Sequence, residues 1–299
     1  MIVEMILVTQ KLPGFVFVAL CFIWGSTWLA IKVGLVFLPP FLFAGIRFAV
    51  ASVFMLLLVP LLHARIPRDA ASWGAMFLLG VFQIALVYGL LFWGEQYITS
   101  GLTAVLSATL PFFVVVFAHV LIKGESITRR KIVGIVVAFV GVALMFWRSL
   151  ISGQGLSAQL SLLSILAIVG SSASGGLGTV IAKKYSNSID PAASVLVQSI
   201  VGSVALLCVG VVTERGIAIE FSPTAIVAVL YLGVVGSALA FVGWYWLFTK
   251  TTATNSSLIL LITPVIALLL GWLILQEELE PIVAVGTLLI LSGVYVTAE

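Results

Sequence analysis

"PFFVVVFAHVLIKGE", residues Pro111–Glu125, returns 153 positions later as "PVIALLLGWLILQEE", residues Pro264–Glu278. Each stretch is a proline, thirteen mostly apolar residues and a glutamate. With the apolar residues before it, each reaches about 20 residues, the length that crosses a bilayer core as a helix. The second copy starts half a chain length after the first, so the 299 residues read as one unit written twice.

Composition gives the solvent. The chain is 62% hydrophobic and 8% charged, against roughly 25% charged for a soluble domain. Water cannot solvate a surface that poor in charge, so lipid must. Apolar runs between polar breaks give ten spans, at about 14–35, 40–62, 73–97, 100–122, 131–148, 160–182, 191–213, 223–248, 254–275 and 281–297. Backbone amides in hydrocarbon need partners within their own segment, which predicts helices. The runs lack strict alternation, which excludes a lipid-facing β-barrel. The first run is too long for a signal peptide and reads as a retained helix. Cys21 and Cys208 both sit inside apolar runs and read as small core residues.

Lysine and arginine set the orientation. With the N-terminus inside, ten fall on the cytoplasmic side: Lys11, Arg65, Arg68, Lys123, Arg129, Arg130, Lys131, Lys183, Lys184 and Lys250. Three fall on the other side: Lys32, Arg148 and Arg215. That asymmetry, with an even number of spans, predicts both termini in the cytoplasm. The same placement explains the net charge of +3 without nucleic acid.

The repeat extends beyond the opening pair. At an offset of 153, Gly80 meets Gly233 and Ala85 meets Ala238. One residue less aligns Gly134 with Gly286 and Gly141 with Gly293. Near the start, an offset of 151 aligns Gly25 with Gly176, Lys32 with Lys183, Pro40 with Pro191 and Ser52 with Ser203. Residues 1–152 thus form one five-span repeat and residues 153–299 the second. Five is odd, so the second copy enters the membrane from the opposite face. The predicted fold is an all-α membrane protein of ten helices as a 5+5 inverted repeat. Such symmetry gives two near-equivalent conformations, one open to each side.

Ten spans in this arrangement, "WGSTWLAIK" (Trp24–Lys32) and the paired proline-to-glutamate stretches resemble the drug/metabolite transporter superfamily, and within it the EamA-type exporters. The resemblance covers nearly the whole chain. It implies efflux of small metabolites through a central cavity, amino acids, including aromatic ones, prominent among them. Drugs, or amphipathic and nucleotide-sugar-like metabolites, are the alternative cargo. Similar exporters sit in the inner membrane. The expected form is a functional monomer in lipid, with a small-molecule substrate and no cofactor.

Inverted-repeat carriers bind substrate near mid-depth, at interrupted helices. Pro111 and Pro264 mark the middle of spans 4 and 9, where each frees the carbonyl four residues earlier, Ser107 or Leu260. Thr109 and Thr263 stand beside them. Either the prolines build a site, or neighbouring helices satisfy ordinary kinks. Span 6 carries "GSSASGGLGT" (Gly170–Thr179), where Ser171 and Ser174 face the cavity or bond across helices. Trp24 and Trp28 lie four residues apart near and just above mid-depth in span 1; Trp24 is too deep to be an interfacial anchor, which leaves cavity lining or buried packing. Spans 3 and 8 bear matched stripes: Tyr88, Leu91, Phe92 and Glu95 answer Phe241, Trp244, Tyr245 and Phe248. Each stripe lines an access path or forms an aromatic belt. Gln83 is the one amide at its depth in span 3.

Among the intramembrane charges, Arg47 snorkels outward, pairs with Glu95 or takes a substrate carboxylate. His119 ends span 4, as an interfacial group or a proton relay. Glu125 and Glu278 cap or pair at the surface, Glu125 with Lys123 and Arg129 nearby. With no deep carboxylate pair, transport is uncoupled or proton-linked through Glu95 and His119. An enzyme reading lacks a nucleophile, metal or phosphate-loop motif, and a channel reading lacks a ring of charges or a filter.

Overall fold

The structure, a computed structural model, describes residues 2–122, 125, 127–151, 156–185, 188–248 and 253–298. Within these it describes side chains except at 2–12, 146–151, 157–158, 245, 248, 253–258, 260 and 298. Ten helical stretches follow the ten apolar runs. They are α1 (Ile2–Gly34), α2 (Pro40–Leu61), α3 (Ala70–Glu95), α4 (Ser100–Leu121) and α5 (Arg129–Ile151), then α6 (Leu156–Tyr185), α7 (Pro191–Thr213), α8 (from Pro223 to Phe248), α9 (Ala253–Leu275) and α10 (Pro281–Ala298). Seven of these, among the described residues, are long and apolar enough to cross a membrane on length and composition.

The starts follow from local chemistry. Proline opens α2, α7, α8 and α10, where a missing amide proton costs nothing. Asp69, Thr99, Asp190 and Ser222 accept bonds from the first-turn amides of α3, α4, α7 and α8.

Burial is inverted relative to a soluble protein. Phe15, Val120, Val227 and Leu288 are each more than 60% exposed, while Arg47, Glu95 and Thr103 are buried. Lipid solvates the apolar outside, and the polar groups sit where helices can satisfy them. Cys21 is buried as expected, but Cys208 is exposed on α7. An apolar run in a membrane protein has a lipid face as well as a core face, and Cys208 lies on the lipid one.

The packing obeys an internal twofold that exchanges the halves. α1 packs on α9, and its counterpart α6 packs on α4. α2 packs on α8, and α7 on α3. The self-paired contacts, α2 on α7 and α5 on α10, lie on the axis. Single residues repeat the rule. A Cβ on Gly25 would stand 2.7 Å from Ile266 Cβ, and one on Gly176 would stand 2.6 Å from Phe113 Cβ, the repeat equivalent of Ile266. A Cβ on Gly134 would press on the Gly293 carbonyl, and one on Gly141 on that of Gly286. The glycines exist because these backbones touch.

Two further departures from regular helix position the site. α3 widens to a π-helix over Gly80–Ala85, and α8 does so over Tyr231–Leu239. These segments coincide under the repeat. At Gly80, α3 lies against the Gln198 carbonyl of α7; at Gly233, α8 lies against the Arg47 carbonyl of α2. Gln198 and Arg47 are themselves repeat equivalents.

Candidate functional site

The two π segments face the junction of the halves, and each is held by a hydroxyl bond. Ser174 of α6 donates to the Phe82 carbonyl at 2.7 Å. Tyr231 of α8 shares a 2.6 Å bond with Ser26 of α1. A π turn shifts the hydrogen-bond ladder by one residue, and it clusters at functional positions.

Arg47 enters this region from α2 with 1% of its surface exposed, so it does not snorkel. Nε donates to Ser237 Oγ in the α8 π segment at 3.0 Å. The guanidinium carbon lies 4.7 Å from the Tyr88 ring centre, 5.2 Å from Phe48 and 5.8 Å from Phe92. These rings pack edge to face: Phe48 on Tyr88 at 4.6 Å, and Phe43 on Phe92 at 5.0 Å. The aromatic walls offer cation–π attraction and exclude water. One nitrogen, Nη1, is buried and has no hydrogen-bond partner.

Glu95 lies on the same face of α3 as Tyr88 and Phe92, seven and three residues further on. It is 0% exposed, and neither carboxylate oxygen has a hydrogen-bond partner. The direct ion pair with Arg47 that the sequence allows is therefore not formed. Trp28 Nε1 and Gln83 Oε1 are likewise buried and unpartnered. Trp28 packs against the same core, and Gln83 lies against Gly178 of α6. Unmade bonds on buried polar atoms cost stability.

The other sequence candidates separate from this cluster. Trp24 packs with Phe241 and Trp244 at 6.1 and 5.1 Å between centroids. It forms an α1–α8 cluster with Leu20, Cys21 and Ala240. Tyr245 falls at a position whose side chain lies outside the described residues. Thr109 is buried, and its hydroxyl returns to the Leu106 carbonyl at 2.7 Å. Thr263 and Ser171 are buried. Ser172, which the sequence reading passed over, reaches the Leu106 and Ser107 carbonyls at 3.5 and 3.4 Å.

The two prolines behave differently. α4 breaks at Ala108–Thr109, so Pro111 sits at the start of its second piece, Leu110–Leu121. Pro264 lies inside an unbroken α9, and the interruption expected there is absent. The hydroxyl at Ser172 supplies a donor to the freed carbonyls of α4. Its repeat equivalent on α1 is Cys21, whose thiol is a weak donor.

Each face is tied across the halves. On the face carrying most lysines and arginines, Lys183 of α6 donates to Glu125 at 2.6 Å, holding its carboxyl below the usual range. Glu125 thus pairs with Lys183 rather than with Arg129. His119 Nδ1 lies 2.8 Å from the Glu125 carbonyl oxygen at this surface. A cavity of about 160 Å³ adjoins the tie, lined by Ala118, Thr179, Lys131 and Lys183 among others. On the opposite face Glu277, rather than Glu278, takes the N-terminus of α4. Oε1 accepts from the Ser100 amide at 2.8 Å; Oε2 accepts from the Ser100 hydroxyl at 2.9 Å and the Gly101 amide at 3.3 Å. Beside it Lys32 Nζ donates to the carbonyls of Glu95 and Ile98, each at 2.6 Å, closing the end of α3. The described residues hold no group of three or more His, Cys, Asp or Glu side chains able to bind a metal.

Comparisons with known proteins agree with this architecture. The EamA-like transporter family profile matches residues 12–147 and 162–298. The uncharacterized transporter YoaV of Bacillus subtilis is 28% identical over 278 residues, covering 93% of this chain and 94% of its own. The uncharacterized transporter YvbV of the same organism is 31% identical over 92% of this chain and 88% of its own. The uncharacterized inner membrane transporter YedA of Escherichia coli K12 is 29% identical over 88% of this chain and 83% of its own. A solved crystal structure shares the fold with a TM-score of 0.66 over 96% of both chains at 17% identity. The profile matches both halves of this bundle of apolar helices, so the chain is a multi-pass membrane transporter and belongs to the EamA-like transporter family.

Proposed function

We propose that this protein exports small metabolites, foremost amino acids including aromatic ones, across the cytoplasmic membrane by alternating access. The basic face, with both termini, lies in the cytoplasm. The halves 1–152 and 153–299 rock about the shared core, each opening the path that the other closes. The carrying observation is the matched pair of π segments, Gly80–Ala85 and Tyr231–Leu239, at the junction of the halves beside the buried polar groups. Related by the twofold, they give either half the same means of bending against the other. The name of YedA, an inner membrane transporter, supports the location. Movement follows the substrate's own gradient or is linked to protons.

Reconstitution into liposomes with a panel of labelled amino acids and other metabolites, with and without a pH gradient, tests the reading. Saturable flux of amino acids supports it. Flux only of cationic drugs or nucleotide sugars refutes the amino-acid assignment, and product formation in place of flux refutes transport.

A further inference from the structure

We propose that Arg47 and Glu95 together read the dipolar head of an α-amino acid: the substrate carboxylate on Arg47 Nη1 and its ammonium on the Glu95 carboxylate. The assignment rests on the amino-acid reading above and adds the groups that enforce it.

Four observations carry it. Arg47 Nη1 and both Glu95 carboxylate oxygens lack partners and are of opposite sign, and Glu95 continues the α3 stripe of Tyr88 and Phe92 that the guanidinium lies against. Arg47 is fixed by three rings and by Ser237, so Nη1 has a defined direction. Glu95 is fixed at its backbone, where Lys32 takes its carbonyl, yet its side-chain oxygens remain free of hydrogen bonds. Finally, the two charges do not satisfy each other.

Physical chemistry favours this occupant. A lone anion would leave Glu95 uncompensated, and a lone cation would leave Arg47 so; each uncompensated buried charge is costly. A zwitterion compensates both and brings no net charge into a low-dielectric core. The other charges acting on Glu95 are Lys32 and Glu277. They are opposite in sign and sit at the face opposite the basic one, with Lys32 on carbonyls and Glu277 on the α4 amides. The aromatic rings remain to contact the amino-acid side chain.

The test is competition for labelled L-phenylalanine uptake in proteoliposomes by 3-phenylpropanoate, which lacks the ammonium, and by 2-phenylethylamine, which lacks the carboxylate. Wild-type protein is expected to reject both by roughly ten- to a hundredfold relative to phenylalanine. Glu95→Gln should erase the discrimination against 3-phenylpropanoate and keep that against 2-phenylethylamine. Arg47→Gln should do the reverse. The wild-type measurement stands even if a variant fails to fold. Either analogue competing as well as phenylalanine in wild type overturns the assignment, as do variants that weaken all three ligands by one common factor. Wild-type protein that moves other metabolites and no amino acid refutes the amino-acid reading itself, and this assignment with it.

Discussion

Replacing Glu277 by alanine should loosen the face opposite the basic one. Its carboxylate holds the Ser100 amide, the Ser100 hydroxyl and the Gly101 amide. It is contributed by the second half and caps a helix of the first. Water replaces these bonds when the face opens, so only the net value counts. Charged hydrogen bonds are worth about 1.5–3 kcal/mol each, and a lost N-cap about 0.5–2 kcal/mol. The three contacts share one carboxylate, so we take about 2 kcal/mol for the set. At about 1.4 kcal/mol per factor of ten, the closed state loses roughly thirtyfold against the open one. The assay uses a Cys21→Ser/Cys208→Ser background carrying Ile98→Cys, since Ile98 is 6% exposed at this end. A membrane-impermeant thiol reagent is added from that side. Labelling should accelerate by roughly an order of magnitude or more in the Glu277→Ala protein. An unchanged labelling rate with a lower melting temperature would refute the gate and leave Glu277 as a helix cap.

Other perturbations separate packing from transport. Gly134→Leu forces a side chain onto the Gly293 carbonyl; it should destabilise the detergent-solubilised protein by about 1–3 kcal/mol while folded molecules keep their turnover. Trp24→Ala removes the ring that meets Phe241 and Trp244; transport per folded molecule should fall severalfold and expression less, and equal losses would make it packing alone. The Lys183–Glu125 tie is more than a third exposed on the lysine side, so Lys183→Gln should leave steady-state flux nearly unchanged at physiological salt. Because Lys183 depresses the Glu125 carboxyl, the tie holds above the ordinary carboxylate range and is lost as pH falls through the lowered value. Flux between pH 6 and 8 should therefore be insensitive to Lys183→Gln; a pH step in that window that vanishes in the variant would contradict it.

The spans were legible because lipid demands contiguous apolar helix, and the twofold was legible because close backbone contact demands glycine. Gly80 and Gly233 were visible as a pair for that reason. The π turns that contain them were not, since α7 and α2 approach there, which no local pattern encodes. Selection among adjacent like residues was equally hidden. Ser172, not its neighbour Ser171, reaches the α4 break, and Glu277, not Glu278, caps α4. One helical step turns a side chain by about 100°, so only packing decides. The even treatment of Pro111 and Pro264 failed for a related reason: the partner helix presents a hydroxyl in one case and a thiol in the other. Of the charged candidates, Arg47 and Glu95 were found as residues, but their lack of a mutual bond needed the fold.

The rocking of two bundles is tested most directly by paired spin-label distances in nanodiscs. One pair spans the halves on the basic face, at Arg68 and Lys184; the other spans them on the opposite face, at Val36 and Leu279. Adding transported substrate should move the two mean distances in opposite directions, one widening as the other narrows. Distances that change together, or only on one face, would contradict alternation between the halves.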